Sequence, residues 1–371
     1  MKSDNRKFIP EIDELRALAA LIVIFYHGQQ LIGAYLANGG GFDPERDWIY
    51  SDNPFVTLIA EGHTAVGLFI VMSGYILSTG AIGKHIDYGR FIIARILRIY
   101  PVYLLLLAVA MLTSSAGITV FFSSVLPLPL AHTMIVSSPF SSMFWAVLVE
   151  FQCYLLFPFI IHFSNASGTR YLFGLVLVMI ALRAIAVFGM DANARDLSYW
   201  TVMGRLDQFL IGMILARIAV NGGGNPYWRN LLFPLATALA LLVIWLFNQA
   251  GGWPSGGRWK ILWPDIEAIM WAMFIWSYLS FAQTFRFPGK RFLQLFGLVS
   301  YPIYLVHIAI ITLTINNGLF LTLTGNPHHD ALLTTLIVII PLSVGIGTLL
   351  HHVIEKPFLS FRPKYVKQTT A

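Results

Sequence analysis

Apolar runs of about 20 residues, separated by short polar stretches, recur along the whole 371-residue chain. A run of that length crosses the hydrocarbon core of a bilayer as a helix. The pattern predicts spans near 15–37, 64–82, 92–113, 143–162, 171–189, 204–220, 231–248, 265–285, 298–320 and 332–354. The stretch 118–136 is apolar too, but Pro127 and Pro129 interrupt it and serines flank it. The Lys and Arg distribution decides its role. With 118–136 uncrossed, 17 of the 24 basic residues share one side with both termini, and only Arg46, Arg195, Arg258 and Lys260 lie opposite. If it crosses, every later loop inverts and that bias disappears. The positive-inside rule therefore predicts ten spans, both termini cytoplasmic, and 118–136 as a re-entrant or surface-lying segment. The expected fold is an all-α integral membrane bundle. It forms a single domain over 1–371 with a core at about 8–360, no soluble domain and no internal repeat.

Composition agrees with the pattern. The chain is 57% hydrophobic and 11% charged, against about 25% charged in soluble domains, and its mean hydropathy is +0.70. A lone cysteine, Cys153, excludes an intrachain disulfide and a cysteine-based metal cage. The net charge of +6 belongs to loops facing the cytoplasm and does not indicate nucleic acid. The N-terminus has the outline of a signal peptide, yet acidic residues precede its apolar core and no small-residue cleavage site follows, so it is expected to stay as a span.

Polar residues inside the spans narrow the chemistry, because ionisable groups at that depth are costly. Arg16 and His27 are eleven residues apart in IPEIDELRALAALIVIFYH, which puts them on one helix face about 16 Å apart along the axis. The pair reads as an entrance at the membrane edge and a reaction centre near the midplane. Ser73-Gly74 in the second span makes a small patch open to a neighbouring helix or a thin ligand. Arg95 and Arg98 share a face where the third span begins; they suit phosphates of a soluble donor or serve as lipid anchors. Glu150 in the fourth span could orient His27 or neutralise Arg183 or Arg205. Arg205 and Asp207, two apart, must find partners on other helices. Ser300, Tyr304 and His307, at i, i+4 and i+7, form a polar stripe that either lines a substrate tunnel or seals an interhelical seam. His351 and Glu355 have metal-ligand spacing but no third ligand, so no metal is expected. The loop 38–63 is acidic and glycine-rich, a candidate for acceptor contact.

The segments IPEIDELRALAALIVIFYH, GLFIVMSGYIL, ARILRIYP, WAVLVEFQCYLLFP, GRLDQFLIGMILA, SYPIYLVH and VIEKPF, in this order, resemble the membrane acyltransferase family 3 from about residue 8 to 360. That resemblance implies a ten-helix bacterial inner-membrane enzyme. It would move an acyl group from cytoplasmic acyl-CoA, acetyl-CoA foremost, to a hydroxyl of a surface glycan, its lipid-linked precursor or a small molecule. The family's Arg-x10-His signature falls on Arg16 and His27, and its basic pair on Arg95 and Arg98. Its Ser-Gly falls on Ser73 and Gly74, its Trp and Glu on Trp145 and Glu150, and its late Ser-Tyr on Ser300 and Tyr301. Glu14, Gly67 and Ala146 depart from the family pattern, no Gly-x-Ser-x-Gly elbow is present, and no appended esterase-like domain is expected.

Together these readings place the donor phosphates near Arg95, Arg98 and Arg16, with Ser73, Gly74, Ser300, Tyr301, Tyr304 and His307 along the path of the acyl arm. His27 is the expected general base, supported by Glu150. A covalent acyl-histidine remains open beside direct transfer. The rival class is a multi-pass transporter of a lipid-linked or secreted molecule, which predicts an inverted repeat that the sequence does not carry.

Overall fold

The computed structural model describes residues 9–126, 135–222, 224–285 and 287–367. Asn-Pro pairs start three of its helices. Asn53, Asn225 and Asn326 each accept a backbone N–H with the side chain, and the following proline occupies the first helical position, where its missing N–H costs nothing. They open α2 (Pro54–Ala60), α10 (Pro226–Gln249) and the run α14 (Pro327–Ser360). Pro10 likewise opens α1 (Pro10–Asn38), which Gly39 closes in the left-handed region at φ 68°. The remaining helices are α3 (Ala65–Ala81), α4 (Tyr88–Leu112), α5 (Ile118–Val125), α6 (Phe144–Ser167), α7 (Thr169–Ala184), α8 (Ala194–Trp200), α9 (Val202–Val220), α11 (Trp263–Thr284), α12 (Lys290–Leu298) and α13 (Ser300–Asn316). A two-residue antiparallel pair, β1 (His85–Ile86) with β2 (Val366–Lys367), ties the C-terminal segment beside the start of α4.

The architecture is all-α. Among the described residues, seven helices are long and apolar enough to cross a membrane, or eight if α12 and α13, bent by 76°, count as one span. The expected ten is not reached on that measure, and the shortfall has a local cause. Helix α9 carries Arg205, Asp207 and Arg217, and α11 carries Asp265 and Glu267 among Trp, Tyr and Ser. Several of these charges are neutralised by neighbours. Arg183 of α7 donates to Asp207 and Asp265 at 2.5 Å each, and Arg205 donates to Glu267 at 3.1 Å. The two-residue spacing of Arg205 and Asp207 thus sends them to different partners. Of 118–136, α5 is eight residues long, too short to cross. Tyr100 and Tyr103 of α4 hold it by donating to the carbonyls of Val125 and Ser124. Residues 127–134, with Pro127 and Pro129, lie outside the described residues.

Glycine sets the closest helix approach. A Cβ on Gly74 of α3 would run into the Phe209 carbonyl of α9, and one on Gly212 of α9 into the Val71 carbonyl of α3. The Gly74 half of the small Ser73-Gly74 patch is therefore used by a helix, as small residues commonly are between membrane helices. Gly67 instead leaves room for a side chain, since a Cβ there would stand 2.9 Å from the Glu267 carboxyl carbon. Cys153 is fully buried on α6.

Candidate active site

Two cavities lie along α1. The larger, about 330 Å³, is lined by cations: Arg16, Arg95, Arg98, Lys356 and Arg362, with Asp13 and Glu150 as its only acids among the described residues. The smaller, about 190 Å³, is walled by aromatic rings, chiefly Trp48, Trp145, Tyr199, Trp200 and Trp253, and contains His27 and His63. Val66 and Tyr304 line both, so they form the partition between them.

The basic chamber draws on distant parts of the chain. Arg16 projects from α1 and is steadied by Asp13 at 2.8 Å. Arg98 pairs with Glu355 of α14, whose other oxygen holds His351 Nδ1 at 2.8 Å. The His351–Glu355 spacing thus anchors an arginine. Arg95 lies over the rings of Phe91, Tyr154 and Tyr365, and its buried Nε has no partner among the described residues. Burial, with Arg95 nearby, pushes the Arg362 guanidinium below its ordinary range. A pocket carrying five such cations suits an anion with several negative groups, and arginine forks suit phosphates in particular.

The aromatic chamber is organised by histidines. His307 Nδ1 lies 2.8 Å from the Tyr304 carbonyl, which can only accept, so that nitrogen carries the proton. In the neutral ring, Nε2 is then a lone pair, and it meets His27 Nδ1 at 2.9 Å. His27 must donate there. That leaves its Nε2 as a lone pair, the form a general base needs, while the Val23 carbonyl is a further hydrogen-bond partner of the ring. On the opposite wall, buried Glu61 accepts from Trp48 Nε1 at 2.9 Å, Asn248 Nδ2 at 2.8 Å and His63 Nε2 at 3.0 Å. Lys260 braces this wall by donating to the Gly252 and Trp253 carbonyls at 2.7 Å each, and burial brings its ammonium down to about 7.

The expected site residues divide between these chambers. Arg16, Arg95, Arg98, Ser73, Glu150, Ser300 and Tyr301 line the basic one, His27 the aromatic one, and Tyr304 both. Gly74 lines neither and packs on α9. His307 is fully buried behind His27 instead of lining a tunnel. Glu150 is not brought to His27: it accepts from Ser73 and Tyr154 in the basic chamber, and His307 takes the orienting position. Tyr301 donates to the Ile99 carbonyl at 2.7 Å and stacks near Arg98. Sequence reasoning missed Glu61, His63, Trp48 and Trp253. Three of them sit in the 38–63 loop region already marked as a candidate for acceptor contact, and an apolar-run search is blind to them.

A helical bundle with several membrane-length apolar helices, holding a cationic chamber beside an aromatic one, defines a membrane-type protein. The chain belongs to the acyltransferase 3 family: the family model, described as an acyltransferase domain, matches residues 9–351. Curated relatives include the "Putative O-acetyltransferase" proteins of Staphylococcus aureus strains COL, MSSA476 and MW2, each 23% identical over 413 residues that cover 99% of this chain. The chain spans 61% of the length of these relatives. No solved structure matches it significantly.

Proposed function

We propose that the protein is a multi-pass O-acyltransferase of the bacterial inner membrane. It transfers an acyl group, acetyl foremost, from cytoplasmic acyl-CoA to a hydroxyl of a surface polysaccharide or its lipid-linked precursor. Both termini face the cytoplasm, with α9 and α11 crossing as charge-paired spans. The basic chamber takes the nucleotide phosphates of acetyl-CoA on Arg16, Arg95, Arg98 and Arg362, and the thin pantetheine arm carries the thioester toward the partition. The aromatic chamber takes the acceptor, its flat rings matching the apolar faces of a sugar. His27 Nε2 removes the proton from the acceptor hydroxyl as the oxygen attacks the thioester carbonyl, then returns it to the departing thiolate. Such general base catalysis contributes about 10²–10⁴-fold.

The observation that carries this reading is the His27–His307 relay, which leaves one bare imidazole nitrogen in the aromatic chamber next to a chamber built for anions. The experiment is thiol release from acetyl-CoA by the full chain in proteoliposomes. With glycan acceptors present, His27→Ala is expected to lose acceptor-stimulated release while still binding acetyl-CoA. Wild-type rates in that variant would refute the role of His27. Label from acetyl-CoA retained on the wild-type protein would replace direct transfer by an acyl-histidine step.

A further inference from the structure

Tyr304 occupies a position shared with only one other residue among those described, the partition between the chambers. It is more than nine-tenths buried, yet its hydroxyl has no hydrogen-bond partner among the described residues. A buried hydroxyl left unpaired is costly, and such groups call for an explanation. The ring is held in place. Its own carbonyl is tied to His307 Nδ1, and the Phe69 and His307 rings flank it with centroids 6.0 and 5.9 Å away. Val66, the other partition residue, has no polar group to offer.

We propose that Tyr304 is a catalytic residue whose O–H donates to the thioester carbonyl oxygen and holds the charge that develops there. The inference rests on the two-chamber acyl-transfer reading. A thioester presented from the basic side and attacked from the aromatic side must place its carbonyl carbon at the partition. His27 Nε2 takes the acceptor's proton and the acceptor oxygen bonds to that carbon. The carbonyl π pair moves onto the oxygen, which accepts the hydrogen bond from Tyr304. The carbonyl then re-forms as the carbon–sulfur bond breaks, and the thiolate takes the proton from His27. The products are the ester and free CoA, with the enzyme restored. A donor that is unpaired and carried on a ring already held in place needs little reorganisation at the moment of reaction, which is the source of its effect.

The test compares Tyr304→Phe and Tyr304→Ala with wild type in proteoliposomes, using acetyl-CoA as donor and n-octyl β-D-glucoside or water as acceptor probe. Tyr304→Phe keeps the ring and the partition. Thiol release should fall about 10²–10³-fold with acetyl-CoA affinity retained, which separates lost transition-state stabilisation from lost binding. Tyr304→Ala should in addition raise the share of release that goes to water, because the wall is breached. Wild-type turnover in Tyr304→Phe, or a loss matched by an equal loss of acetyl-CoA affinity, would overturn the proposal. A wild-type protein that releases no thiol with either probe would instead overturn the acyl-transfer reading, and the proposal with it.

Discussion

His27 gains its role from a residue 280 positions away. The lone pair on His27 Nε2 follows from the hydrogen bond that His307 accepts from Nδ1. Replacing His307 by Phe keeps a ring in the space and removes the acceptor, so the tautomer is no longer enforced. The expected outcome is a kcat lower by up to about 10⁴-fold, with acetyl-CoA binding unchanged, as when a triad loses the group that orients its histidine. His307→Gln, whose carbonyl can accept from His27, should recover part of the rate; steady-state kinetics beside binding measurements check both. The 11-residue spacing of Arg16 and His27 was legible from helical periodicity, and the structure places both on α1, lining different chambers. The partner of His27 was not. Periodicity gives depth and face on one helix but does not say which other helix meets that face. Glu150, at a plausible depth, turned out to bond Ser73 and Tyr154 in the other chamber. His63 and Glu61 escaped notice because they stand at the polar end of a loop, where a histidine and a glutamate look solvated, whereas both are buried.

Among the elements, the α3–α9 seam is closed from both sides. Gly74 and Gly212 face the opposite helix's backbone reciprocally, so neither position can gain a methyl without moving a helix. Gly74→Ala and Gly212→Ala are each expected to destabilise the protein by about 1–3 kcal/mol. The double variant should cost less than the sum, because the first shift opens room for the second. Thermal unfolding in detergent, read for the two single variants and the double, checks this. Helix positions were largely readable: the predicted 15–37 and 143–162 correspond to Pro10–Asn38 and Phe144–Ser167. Less readable was α12: the predicted span 298–320 corresponds to α13, whereas Lys290–Leu298, outside every predicted span, forms a helix bent by 76° from it. The cause of the bend is tertiary. Gly297 packs on the Asp13 backbone, and Glu14 accepts from Gln294 and Tyr278 at 2.7 Å each, so the end of α1 fixes α12 across its path. Glu14, a departure from the family pattern, thereby has a structural use.

At the scale of the molecule, the two chambers should answer to different variables. The basic chamber works through charge, so acetyl-CoA affinity is expected to weaken as ionic strength rises. Arg95→Gln or Arg362→Gln should each weaken it by about 10-fold or more, the weight of a charge-assisted hydrogen bond, as read by titration calorimetry in detergent. The aromatic wall answers to pH through Lys260. Its folded value of about 7 lies below the ordinary lysine value. Between the two, the unfolded chain holds more protons, so the fold gains stability as pH rises through about 7 toward 10. The melting temperature of wild type relative to Lys260→Gln should therefore climb across that window. A flat difference would show that Lys260 holds its proton in the fold as readily as outside it.

Cys153 has a practical consequence. The protein's one thiol is sealed inside α6, so the native chain is already silent toward membrane-impermeant maleimides. A cysteine placed at Tyr50, Lys84, Phe285 or Leu323 would be the single reactive site, with no background to remove first. Labelling intact and opened vesicles would then report which face each loop occupies. The same scaffold with a cysteine in either chamber would show, by protection, which compartment acetyl-CoA and which the acceptor enters from.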